Sequence, residues 1–155
     1  MPDTLLLTDL LTPDRIRVPL SATDKPGVLR ELVQLLADRS GAPFEPLLSA
    51  VLEREAVLST GIGHGIAIPH AKSSAVDKLW LVCGGAGDGI AFDALDGQPV
   101  RLFFLLLGPD SAAGLHVKAL SRIARLVRGD QVREALLSAE SPEAFHQILV
   151  EAEER

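Results

Sequence analysis

The apolar positions of this chain change period along its length. Val28, Leu29, Leu32, Val33, Leu35 and Leu36 recur at the spacing of one face of an α-helix. Asp24 is placed to cap that helix, Pro26 suits its first turn, and Ser40-Gly41 ends it. A second helix is predicted over Phe44 to Val57, with Leu47, Leu48, Val51 and Leu52 inward and the breaker Ser59-Thr60-Gly61 behind it. The middle third then switches to short aliphatic segments between glycine and aspartate turns. Gly63 to Pro69, Lys78 to Gly84 and Val100 to Leu107 read as strands, the last of them central because it is almost wholly apolar. Helical periodicity returns over Gly114 to Arg128, Gln131 to Ser138 and Pro142 to Glu151. At the other end, Thr4 to Leu11 predicts a short helix or helical turn stopped by Thr12-Pro13. Arg15 to Leu20 alternates as a strand, which Pro19 confines to a sheet edge. The order helices, sheet, helices predicts an α/β fold: a single domain over residues 1–155, with a mixed β-sheet of about five strands flanked by helices.

Composition narrows the class of function. Of the 155 residues, 47% are hydrophobic and 23% charged, enough for a packed core, while the 4% of aromatics leaves that core to Leu, Val, Ile and Ala. A formal net charge of −6 supplies no basic face, so nucleic acid is not the expected partner. The longest apolar run, Leu102 to Leu107, falls far below the roughly 20 residues that span a bilayer, and the N-terminus has acids where a signal peptide has bases. The expectation by elimination is a cytoplasmic protein without membrane insertion. Cys83, the only cysteine, lies in an apolar run and reads as a buried thiol.

Chemistry concentrates in Ser59-Thr60-Gly61-Ile62-Gly63-His64-Gly65-Ile66-Ala67-Ile68-Pro69-His70. Glycines at 61, 63 and 65 allow positive φ and can aim N–H groups at an anion, although the pattern is not a nucleotide-binding loop. Strand parity puts Ile66, Ile68 and His70 on one face, and Pro69 stiffens the approach to His70. A histidine so presented is a nucleophile, mostly neutral near pH 7, or simply a strand cap at the surface. His116 flanks the inward stripe of its helix near the N-terminus, where it can serve a phosphate site or bond a carbonyl as a structural group. Arg54, at the end of the second helix, can grip phosphate or stand solvated between Glu53 and Glu55. No Cys or carboxylate neighbour supports a metal site from His64, His70 and His116. Asp88, Asp93 and Asp96 lack calcium-loop spacing and read as turn formers, and His146 as structural or solvated.

Glu53-Arg54-Glu55, Ser59 to Gly63 and Gly65-Ile66-Ala67-Ile68-Pro69-His70 closely resemble the fructose/mannitol-type IIA family of the phosphoenolpyruvate-dependent phosphotransferase system, which includes the nitrogen-regulatory IIA proteins. The likeness continues through Phe92 to Val100, the apolar strand to Gly108-Pro109, and the His116 helix. It implies a transferase component working through a phosphohistidine. His70 would accept a phosphoryl group from HPr or its nitrogen-branch counterpart and pass it to a IIB component in sugar uptake. Alternatively, its phosphorylation state would control regulatory target proteins. His116 matches the family's assisting histidine and Arg54 its phosphate-side arginine. Gly61, Gly63, His64 and Gly65 would form the phosphate-binding loop, with no cofactor and no metal. His64 stands where the family commonly has Asn, and Ala71 where it often has Gly. A docking surface is expected around His70, with Ile62, Ile66 and the start of the His116 helix as its apolar members.

Overall fold

The computed structural model describes residues 5–154, so the first residue of the predicted Thr4 to Leu11 turn lies outside it. Two single 3-10 turns, Leu7–Asp9 and Pro13–Arg15, precede a two-residue strand β1 (Ile16–Arg17). Two helices follow, α1 (Lys25–Ser40) and α2 (Phe44–Val57). Next come strands β2 (Gly61–Gly63), β3 (Ile66–Ala67), β4 (His70–Lys72), β5 (Trp80–Ile90) and β6 (Val100–Gly108). Helices α3 (Ala113–Arg128), α4 (Asp130–Ser138) and α5 (Pro142–Glu153) complete the chain. The caps behave as their residue types dictate. Asp24 accepts from the Gly27 N–H at 2.8 Å, and Gly41 closes α1 at φ 77° by donating to the Ala37 carbonyl. Ser141 accepts from the Ala144 N–H to start α5.

The sheet is mixed, in the order β1-β5-β6-β3-β2, with β4 also paired to β6. Six strands therefore stand where about five were expected, because the stretch 61–72 is cut twice into short pieces. Gly63, His64 and Gly65 all have positive φ and turn β2 back onto β3. Pro69 has no N–H to give a ladder, but its carbonyl accepts from the Leu106 N–H at 2.9 Å and resets the chain against β6 as β4. Pro19 similarly cuts the first strand to Ile16–Arg17, after which the Leu20 N–H rejoins β5 at the Gly85 carbonyl. Asp96 is the turn former expected, accepting from the Gln98 and His64 N–H groups, and Asp93 turns at φ 55°. Asp88 instead lies within β5, where the pairing with β6 slips register.

Parity along β6 divides the interior. Phe103, Leu105 and Leu107 face α1 and α2, whereas Leu102, Phe104 and Leu106 face α3, α4 and α5. All six have 0–1% of their surface exposed. Cys83 is buried in the second layer, where desolvation drives its thiol pKa up. His146 is structural, holding the Leu11 carbonyl through Nε2 at 3.1 Å.

Gly61 is small for a packing reason. A Cβ there would sit 2.8 Å from the Ala94 Cβ and 2.9 Å from its Cα. We expect Gly61→Ala to push back the 91–97 loop and cost about 1–3 kcal/mol in urea unfolding. An unchanged unfolding midpoint would show that the loop yields freely.

Candidate active site

β4 lies at the sheet edge, and its two faces look into different helical layers. Ala71 packs with the α1–α2 core. Alternation puts His70 and Lys72 on the other face, in line with Ile66 and Ile68, toward α3. The fourth residue of α3 is His116, and its ring meets that of His70 edge-on at 5.7 Å between centroids and 70° between planes. Arg54 comes round the sheet edge from the opposite layer, on α2, which packs on β4. A cavity of about 560 Å³ is lined by Ala50, Glu53 and Arg54 of α2, His70, Ala71 and Lys72 of β4, and His116, Val117 and Leu120 of α3.

The ring of His70 is oriented by its own backbone. Nδ1 lies 2.8 Å from the Ile68 carbonyl oxygen, which can only accept. The neutral imidazole therefore carries its proton on Nδ1, and the lone pair is left on Nε2. Among the described residues Nε2 has no hydrogen-bond partner.

His116 differs in kind. Only 4% of it is exposed, and burial first, then the charges of His70 and Lys72, lower its pKa to about 4. It is neutral at pH 7. Its Nδ1 is the one buried side-chain nitrogen or oxygen without a partner among the described residues. An orphaned acceptor costs less than an orphaned N–H, so the proton belongs on Nε2, available to donate into the cavity. Arg54 is half-buried and donates from Nη1 to the Leu58 carbonyl at 2.9 Å. Two cations, Arg54 and Lys72, thus border the cavity, with Glu53 as the opposing charge.

Of the residues singled out in the sequence, His70, His116 and Arg54 are brought together. Gly61, Gly63, His64 and Gly65 are not among the lining residues. Ile66 pairs with Leu102 and His70 with Leu106, a separation of about 13 Å along β6 at strand rise. The hairpin tip instead meets the 93–101 segment: the His64 N–H reaches Asp96 and the Gly65 carbonyl accepts from Arg101 and Leu102. His64 has φ 57°, a region where Asn, Asp and His are several-fold enriched, which accounts for a His in the place of Asn. It is also too far along the sheet to join His70 and His116 around one ion. Ile66 is 1% exposed and cannot be a docking residue; Ile62, Leu115 and Val117 are exposed. Lys72 and Leu120 were not singled out as site residues in the sequence, although both follow by period: Lys72 two strand positions from His70, Leu120 one helical turn from His116.

The family profile described as "Phosphoenolpyruvate-dependent sugar phosphotransferase system, EIIA 2" matches residues 9–152. The chain belongs to this family. Its IIA relatives carry two kinds of name. A nitrogen regulatory protein of Bradyrhizobium diazoefficiens is 36% identical over 92% of this chain and 94% of its own length. The fructose-specific EIIABC component of Bacillus subtilis is 38% identical over 92% of this chain, which spans only 23% of that protein. Among solved structures, nitrogen regulatory protein IIA-Ntr from Neisseria meningitidis superposes with TM-score 0.86 and 31% identity over 92% of this chain and 98% of its own. IIA mannitol from Escherichia coli shares the fold at TM-score 0.77 and 22% identity. The IIA protein is accordingly a phosphotransferase-system component with a phosphocarrier or regulatory role. Among the described residues no helix is long and apolar enough to cross a membrane.

Proposed function

We propose that this chain, working as one IIA domain, carries a phosphoryl group on His70 Nε2. The observation that carries the reading is the Nδ1 contact to the Ile68 carbonyl, which leaves Nε2 as the nucleophilic atom beside His116 and Arg54. In the reaction, the P–Nε2 bond forms as the donor's P–N bond breaks, and the leaving nitrogen keeps the electron pair. The transition state is loose, so catalysis is chiefly positioning and charge stabilisation. The Nε2–H of His116 and the guanidinium of Arg54 stabilise the equatorial oxygens, and Lys72 adds positive charge at the rim. The donor is an HPr-like phosphocarrier or its nitrogen-branch counterpart, and the acceptor a IIB component in sugar uptake. This places the protein in the cytoplasm, where such donors work.

A second reading, control of target proteins according to the His70 phosphorylation state, draws support from the match to a nitrogen regulatory relative over 92% of this chain and 94% of its own length, and from the Neisseria structure. Both readings share the same chemistry at His70.

The deciding experiment incubates the protein with phosphoenolpyruvate, enzyme I and HPr, and in parallel with the nitrogen-branch pair. We expect one acid-labile phosphoryl group by intact mass, placed on Nε2 by two-dimensional proton–nitrogen NMR of the ring. Phosphate on Nδ1 would refute the orientation argument. No phosphoryl gain with either donor set would refute the carrier function.

A further inference from the structure

Among the described residues only three polar or charged side chains are buried: Glu55, Thr60 and His116. His116 belongs to the site already described. Glu55 and Thr60 hold each other, on the opposite face of α2 from the cavity lining. A carboxylate removed from water needs charge or several donors to offset its desolvation. Glu55 has both. Its Oε2 accepts from the Thr60 N–H at 2.9 Å and pairs with Lys25 Nζ at 3.0 Å, and its Oε1 accepts from the Thr60 hydroxyl at 2.6 Å. Lys25 also donates to the Phe92 carbonyl at 3.2 Å and lies over the Phe92 ring, while the Ser59 hydroxyl donates to the same carbonyl.

The partners of this cluster lead to both ends of the phosphate site. On one side, Thr60 and Ser59 fix the turn that carries Leu58, whose side chain is 57% exposed and holds nothing itself. The Leu58 carbonyl accepts from Arg54 Nη1, so the turn sets where the guanidinium points. On the other side, the Thr60 carbonyl accepts from the Ile68 N–H at 3.0 Å. The other end of Ile68 is the carbonyl that holds His70 Nδ1. Glu55, which does not touch the His70 ring, thus lies two hydrogen bonds from the Arg54 guanidinium and three from His70 Nδ1.

We infer that Glu55 is a positioning residue which, through Thr60, aims Arg54 and holds His70 in its Nδ1–H tautomer. The inference rests on the carrier reading for its kinetic consequence but not for its structural one. Lys25 pairs with the carboxylate and orients it. Thr60 distributes that constraint, one way through its main-chain carbonyl and the other through the turn.

The test uses Glu55→Gln and Thr60→Val in the full chain, with folding checked by circular dichroism. Nitrogen shifts of the His70 ring report the tautomer without any phosphate. Wild type should show the Nδ1–H form, and Glu55→Gln should move the population toward Nε2–H. Thr60→Val, which keeps the Glu55–Lys25 pair and the Thr60 main chain, should move it the same way by less; it decides the matter if Glu55→Gln does not fold. With phosphorylated HPr as donor, the transfer rate at saturation should fall about tenfold in Glu55→Gln while the half-saturating donor concentration stays constant, the mark of lost transition-state alignment. An unchanged ring signature in both variants overturns the inference, whatever the rate does. If wild type accepts no phosphoryl group but the signature still shifts, the carrier reading fails and the positioning role stands.

Discussion

His70→Ala should take up no phosphoryl group at all when incubated with a competent donor, whereas His116→Ala should still be phosphorylated, slower by about 10²–10³-fold. The contrast follows from what each ring contributes. His70 supplies an oriented, half-buried nitrogen lone pair beside the cavity, and alanine leaves nothing there to form the P–N bond. His116 supplies a donor, and losing one preorganised donor slows a transfer without removing its nucleophile. Intact mass over a time course separates the two. A phosphoryl group that persists in His70→Ala would move the carrier to another nitrogen. A His116→Ala protein as fast as wild type would reduce that ring to packing.

Lowering the pH from 7 toward 5 should destabilise this protein through His116. His116 binds its proton with a pKa of about 4 in the fold against 6.5 when exposed, because burial, His70 and Lys72 all oppose the charge. Between those values the unfolded chain holds more protons than the native one, so stability rises with pH across the window and levels off above it. From pH 7 down to pH 5 the loss from this group alone is about 2 kcal/mol. Glu153, whose pKa is lowered, shifts stability in the same direction but at lower pH. Desolvation opposes that lowering; Arg122, the Leu7 and Thr8 N–H groups and the Thr8 hydroxyl outweigh it. Urea titrations at pH 5 and pH 7 should show the difference in wild type and much less of it in His116→Leu. Equal pH dependence in the two proteins would mean that the His116 pocket admits water.

What the sequence disclosed depended on whether a residue's role was local. Strand parity carried Ile66, Ile68 and His70 to one face correctly, and helical period placed His116 beside the core, because both periods are short-range geometry. The glycine run was ambiguous for the same reason. Glycine serves an anion-binding loop and a tight hairpin equally well, and only the pairing of β3 with β6 shows that the turn lies toward Asp96 rather than His70. Glu55 was illegible in a different sense. Between Arg54 and Ala56 on a surface helix it reads as solvated, and its burial depends on Lys25, far back in the sequence on α1. The extra strand came from Pro69, whose effect on the ladder depends on which neighbour its carbonyl meets.

The tie between His70 Nδ1 and its own backbone has a consequence for traffic. One ring nitrogen is engaged by the Ile68 carbonyl, so under the proposed carrier role whatever delivers the phosphoryl group and whatever removes it would use the same atom, reached beside Arg54 and His116. Two proteins cannot occupy one bond axis together. Under that role donor and acceptor complexes would be mutually exclusive, and an excess of either unphosphorylated partner would throttle the flow by occupying the exchange point.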